Sequence, residues 1–165
     1  MDNTHVIHPQ TVLGNKSQTR KLDEERISNF KKLDELASID NQALFTAKGI
    51  FPFDLFPDTI YIDRNKISIH KHFFFFTKQL QSIMFRDTLT VVVEENLLFA
   101  SLQIVDKVFP QETIQVRYLK KSDAKKVRWI VEALIVGQNE NIDFTRIPNK
   151  DLIPKLLEIG KIRTT

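Results

Sequence analysis

Along the 165-residue chain the spacing of apolar positions changes character three times, and each spacing predicts its own kind of element. Residues 1–21 are polar and aperiodic, with Pro9, Gly14, Asn15, Ser17 and Gln18, and offer little apolar surface to offset the entropy of ordering. They read as a mobile polar tail. Over residues 22–40, Leu22, Ile27, Phe30, Leu33, Leu36 and Ala37 recur at helical spacing among Lys, Asp and Glu, with no Gly or Pro, which predicts an amphipathic helix. That helix either covers one side of the domain or docks a partner or a second copy. Two prolines, Pro52 and Pro57, then predict an extended, rigid entry around Phe51, Phe53, Leu55 and Phe56.

Downstream the period is two. Ile60 and Ile62 alternate with Tyr61; Ile67, Ile69, Phe73 and Phe75 alternate with Ser68, His70 and His72; Leu89, Val91 and Val93 alternate with Thr90 and Glu94. Leu102 and Ile104 alternate with Gln103, and Ile114, Val116 and Tyr118 alternate with Gln115 and Arg117. The connections Asp63–Lys66, Thr77–Lys78 and Arg86–Asp87 are of hairpin size, too short for the crossover that parallel strands require, so the strands form an antiparallel meander. A helical period returns from about Asp123 to Val136, with Ser122 or Asp123 as N-cap and Gly137 as the stop. Ala124, Val127, Ile130, Val131, Leu134 and Ile135 fall within about 140° of arc, a face suited to packing on a sheet. Trp129, Ala133 and Val136 make a second stripe, which predicts that a terminal helix lies over Trp129. Residues 142–165 read as a C-terminal helical extension that starts near Pro148 and stops at Gly160, with Pro154 acceptable only in its first turn.

The order of these elements resembles the pleckstrin-homology (PH) superfold, and in particular the bacterial PH-like domains. The likeness rests on Pro57–Asp63, Lys66–Ile69, the segment Leu80–Ile83, Val91–Val93, Phe99–Ile104 and Thr113–Leu119, followed by the helix at 123–136, and covers about residues 50–138. It implies an α+β fold: a strongly bent antiparallel sheet or half-barrel of six or seven strands, capped by one amphipathic helix. The seventh strand is short or comes from residues 45–53. Inositide-binding members carry basic residues on a long loop between the first two strands; here the match is confined to Arg64 and Lys66. The resemblance therefore implies a scaffold for protein, peptide or membrane-surface contacts.

Composition removes many chemistries. The chain has no cysteine, which excludes disulfides, thiolate metal sites and cysteine nucleophiles, and its four glycines are too scattered for a phosphate-cradling loop. No G-x-S-x-G or H-E-x-x-H occurs, and Glu94, Glu95 and Asp106 read as strand-end surface charges, so the expectation is a protein that is not an enzyme and needs no cofactor. The beginning of the chain lacks signal-peptide character and no apolar run approaches a membrane span, which points to the cytoplasm. Residues 1–46 carry a net charge of −1 and residues 47–165 a net +4, so the basic excess lies downstream of the first helix.

Three clusters remain as candidate chemistry. His70 and His72 share a strand face and could share a metal, but lack a third ligand nearby in sequence. The run Phe73–Phe76 would face both sides of a strand, and Phe74 and Phe76, with Trp129, are candidates for a protein, peptide or subunit contact. Arg117, Lys120, Lys121, Lys125, Lys126 and Arg128 form a basic strand-to-helix junction opposed only by Asp123. The junction is either a solvated helix face or a contact for lipid headgroups or, less favoured, nucleic acid. The reading that follows is an interaction or scaffold module for a protein or peptide partner, able to form homo-oligomers, with an anionic-surface binder at residues 117–128 as the competing class.

Overall fold

The computed structural model describes residues 13–40, 43–74, 77–111 and 113–163. Its elements run α1 (Leu13–Asp40), β1 (Phe45–Lys48), β2 (Thr59–Ile62), β3 (Lys66–His72), β4 (Lys78–Met84), β5 (Thr88–Glu95), β6 (Ala100–Asp106), β7 (Thr113–Leu119), α2 (Lys121–Asn139) and α3 (Asn149–Arg163). The chain divides into two units, one containing α1 up to Ile39 and the other spanning Asp40–Thr165.

In the first unit the helix starts at Leu13, well before the Leu22 that periodicity predicts, so residues 13–21 are helical and not tail. Residues 1–12 lie outside the described residues. Leu22, Ile27, Phe30 and Leu33 are each between 59% and 69% exposed.

In the second unit the strands form two antiparallel sheets, ordered β1-β2-β3-β4 and β5-β6-β7. The arrangement of four strands, then three, then a helix is the α+β class that the sequence predicts. The single bent sheet of the sequence reading is thus divided. Between β4 and β5 a short 3-10 turn, Phe85–Asp87, drives the wholly buried Phe85 into the core and turns the chain from one sheet to the other. At the opposite corner Gly49 bridges to Leu119 and the Ile50 N–H donates to the Tyr118 carbonyl at 2.9 Å. The seventh strand sought among residues 45–53 is β1.

Alternation holds for Ile60, Ile62, Ile67, Ile69, Val91, Leu102, Ile104 and Val116, all buried between sheets and helix. It fails at two bulges. The β5–β6 register shifts between Thr88 and Thr90, which leaves Leu89 exposed and buries Thr88, whose hydroxyl donates to the Met84 carbonyl at 3.1 Å. The β6–β7 register shifts between Ala100 and Leu102, and Tyr118 adopts the left-handed conformation with φ 55°. Tyr118 therefore turns outward instead of following Val116 inward, and Leu119 takes the inward place.

The predicted face of α2 closes the core through Ala124, Val127, Ile130, Val131 and Leu134, while Ile135 is partly buried. Neither Ser122 nor Asp123 caps the helix; Lys120 is the N-cap, without a side-chain bond, because its own carbonyl accepts the N–H groups of Asp123 and Ala124. Gly137 does not stop α2. It lies inside the helix because the Phe144 ring occupies the space a Cβ would need, at 2.0 Å from the ring's Cζ. The stop comes later: Asn141 has φ 57°, Asn141 N–H donates to Gln138 O and Ile142 N–H to Gly137 O, a Schellman closure.

Gly160 likewise sits within α3, where a Cβ would stand 2.0 Å from the Trp129 carbonyl oxygen. The glycine lets α3 lie directly on the backbone of α2, which is the cover predicted for Trp129. Pro154 falls past the first turn of α3 and is tolerated there on an exposed position.

Candidate functional site

Ten residues, 49–58, connect β1 to β2, and they are built as turns and not as the extended entry that the prolines predict. Gly49 N–H donates to the Asp58 carbonyl at 2.9 Å, Asp54 N–H to the Ile50 carbonyl at 3.1 Å, and the Asp54 carboxylate accepts the Phe56 N–H at 3.0 Å. The Phe51–Pro52 peptide is cis. With its polar groups satisfied within the loop and against β7, the backbone holds Phe51, Phe53 and Leu55 outward, each more than half exposed.

Neighbouring connections add to this apolar rim. Phe53 lies 4.5 Å from Phe99, centroid to centroid, and Phe99 meets Tyr118 edge-on at 5.9 Å. On the loop's other side Phe56 meets Phe74 edge-on at 5.7 Å. Leu97 and Leu98, in the β5–β6 turn beside Phe99, are also exposed. A shallow cavity of about 240 Å³ adjoins the Phe99–Tyr118 pair and is lined further by Glu94, Ser101, Gln115 and Arg117. The β7 bulge makes both parts: it exposes Arg117 and Tyr118 as successive residues, where plain alternation would expose one.

Of the residues singled out in sequence, Phe74 belongs to this rim, but not on a strand. The strand β3 ends at His72, the Phe73 N–H donates to the Thr77 carbonyl at 2.8 Å, and Phe74 sits at the tip of the β3–β4 connection. Phe75 and Phe76 lie outside the described residues. Trp129 is half-buried, with its backbone against Gly160 of α3.

The residues of the basic junction meet different surroundings. Arg117 and Lys120 are exposed and Lys121 is half-buried. Arg117 donates through Nε and Nη2 to the Gln115 amide oxygen, at 3.0 and 2.8 Å. Lys125 pairs with Glu95 at 2.9 Å, Lys126 stands 5.8 Å over the Phe45 ring, and Arg128 is half-buried with its Nε enclosed and unpaired. The two histidines take separate partners: His70 packs on the Tyr61 ring at 4.7 Å, and His72 Nδ1 lies 3.1 Å from the Pro57 carbonyl. Among the described residues no cluster of three or more metal-binding side chains forms. The three carboxylates read as surface charges have local partners: Glu94 accepts from the Ser101 hydroxyl, Glu95 from Lys125, and Asp106 from the Val108 and Phe109 N–H groups.

Arg64 also moves to a new role. It does not project from a ligand loop; it is 6% exposed and binds the α2–α3 connection, Nε to the Phe144 carbonyl at 3.1 Å and Nη2 to the Ile147 carbonyl at 3.0 Å and the Asn149 amide oxygen. With β1 in place, the loop between the first two strands is residues 49–58, which carries Asp54 and Asp58 and no Lys or Arg. Asp58 is shifted above the ordinary aspartate range by burial, an effect partly opposed by the His72 N–H that it accepts. No helix among the described residues is long and apolar enough to cross a membrane.

No family model matches this sequence, and no curated protein matches it. Among solved structures it is similar to "The pleckstrin homology (PH) domain of USP37", with 15% sequence identity and a TM-score of 0.41, over 57% of this chain and 97% of that one.

Proposed function

We propose that the second unit is a non-enzymatic, PH-like interaction module that binds a protein or peptide partner through the aromatic rim. The observation that carries this reading is the set of exposed apolar side chains on hydrogen-bonded connections, Phe51, Phe53, Leu55 and Phe74 with the Phe99–Tyr118 pair, on a unit whose core is already closed by α2. Rigid aromatic side chains of this kind supply most of the energy of protein interfaces at low entropic cost. Arg117 at the edge of the adjoining cavity offers a cationic contact for an acidic residue of the partner.

Charge favours this reading over an anionic surface. The loop at the centre of the rim bears two aspartates, and at the basic junction Lys125 is already neutralised by Glu95. The test is retention from the lysate of the source cells at low and high salt, with the full chain and its Phe53→Ser variant. Protein, lipid and nucleic acid are assayed in each eluate. The expected result is one protein partner held at high salt and weakened roughly tenfold or beyond by Phe53→Ser, as for a central interface residue. Elution of lipid or nucleic acid alone, stripped by salt and lost on Lys120→Ala with Lys121→Ala, would replace this reading with the anionic one.

A further inference from the structure

A strand at the end of a sheet carries one row of main-chain donors and acceptors without mates, and β4 is such a strand. It stands last in the order β1-β2-β3-β4, and among the described residues no strand pairs with its outer edge. The β3–β4 ladder is regular from Lys66 opposite Met84 to His72 opposite Lys78. At its two ends the Phe85 N–H donates to the Asn65 carbonyl and the Phe73 N–H to the Thr77 carbonyl. Bonded pairs alternate along an antiparallel ladder, so the odd-numbered residues of β4 face β3 and the even-numbered ones turn their N–H and C=O groups away from it. Leu80 and Ser82 hold the middle of that outward row.

Edges are usually blunted by proline, bulges or several charges. This strand has neither proline nor bulge, and its one charge is Lys78 at the first position. A cavity of about 450 Å³ adjoins it, lined by Ser82 and Ile83 of β4, Lys71 of β3 and Asp106 of β6 among others. Ser82 sends its hydroxyl to the opposite face, 2.9 Å from that of Ser68, so it meets the cavity with its main chain. Outward groups at strand spacing beside a cavity suit an added strand: its backbone bonds Leu80 and Ser82, alternate side chains enter the cavity, and the others lie against the exposed Leu80 and Met84. Charge says what enters. The Asp106 carboxylate already accepts two N–H groups at Oδ1, whereas among the described residues the Lys71 ammonium has neither a hydrogen bond nor an ion pair. Lys71 stands two strands in from the added one, roughly 10 Å, a span that a lysine and a glutamate side chain close together.

We propose that β4 docks an extended acidic segment of a protein partner as a fifth strand of its sheet, with apolar residues of the segment outward and an acidic one in the cavity beside Lys71. No rim residue takes part. The probe is a capped peptide of the length of β4 in which valine alternates with glutamate or threonine, titrated into the isotope-labelled full chain and followed by amide NMR. In the unbound protein the amides of Leu80 and Ser82 are expected to exchange with solvent faster than those of Gln81 and Ile83, and the peptide to slow them. Ser82→Pro deletes an outward N–H and no bond to β3, so it should weaken binding roughly tenfold with Trp129 emission unchanged, while Phe53→Ser leaves binding as it was. Lys71→Glu should reverse the preference, from the glutamate peptide to its lysine counterpart. Methylation of every second peptide amide tests the same contact without touching the protein: one alternate set should abolish binding and the other spare it. No shift at millimolar peptide, equal binding of the lysine peptide, or indifference to which set is methylated overturns the proposal. So does protection of Leu80 and Ser82 that rises with protein concentration, which would put a second copy on the edge.

Discussion

A guanidinium removed from water costs several kcal/mol unless its donors are met, and Arg64 meets them without a carboxylate. Two backbone carbonyls from the connection between α2 and α3, and the amide oxygen of Asn149 at the start of α3, accept hydrogen bonds from it. Arg64→Met keeps the length of the side chain and leaves those acceptors unpaired; it is expected to cost about 2–4 kcal/mol in urea unfolding. Arg64→Lys should recover only part of that loss, because one ammonium cannot reproduce the planar fork. Asp58 carries a smaller and opposite lesson. Burial raises its folded pKa, so the folded state is favoured by protonation, and the aspartate's contribution is lost as pH rises through the raised value. Asp58→Asn, which keeps an oxygen to accept the His72 N–H, is therefore expected to raise the urea midpoint at pH 7. The gain should vanish below pH of about 3.9, where the native carboxyl is neutral in both states. Neither role shows in a linear reading: Arg64 sits in a polar hairpin of the kind that normally faces water, and only the distant carbonyls it meets distinguish it.

Among the elements, the packing of α3 on α2 depends on Gly160. Its missing Cβ would strike the Trp129 carbonyl and Cα, which are backbone atoms unable to step aside. Gly160→Ala is expected to lower stability by about 2 kcal/mol or beyond and to red-shift the emission of Trp129, the only tryptophan, as α3 lifts away. Gly137→Ala should cost less, since the obstruction there is the edge of the Phe144 ring, a side chain that can rotate or shift. Sequence reading took both glycines for helix stops, which is their commonest use near a C-terminus. The actual stop at Asn141 has no such signature, because asparagine only sometimes takes the left-handed conformation. The same limit applies to the bulges. The two-residue period names the inward set correctly along Ile60–Ile69 and Leu102–Val116, then misplaces Leu89 and Tyr118, where one extra residue slips the register and changes which face each side chain takes. The β7 slip matters most, for it puts Tyr118 and Arg117 at the rim.

At the scale of the whole second unit, strand number, antiparallel order and the core face of α2 were legible because each follows from the spacing of apolar residues over several turns or pleats. The division into two sheets was not, since β4 and β5 read as a hairpin and only the buried Phe85 shows that the chain turns a corner there. The rim was half legible. A dense set of phenylalanines between two prolines was visible, but nothing local showed that β1 precedes it and makes it a loop. The basic junction drew attention by local charge density, while the carboxylate that pairs with its Lys125 is Glu95, on another element. The Arg64 clamp spans 80 to 85 residues of sequence, and it sets an order of assembly during synthesis. While the ribosome is still delivering the helices, the hairpin that bears Arg64 has no acceptors for its charge and must keep that side chain in water. The hydrogen bonds that close that corner can form only once residues 144–149 are in place.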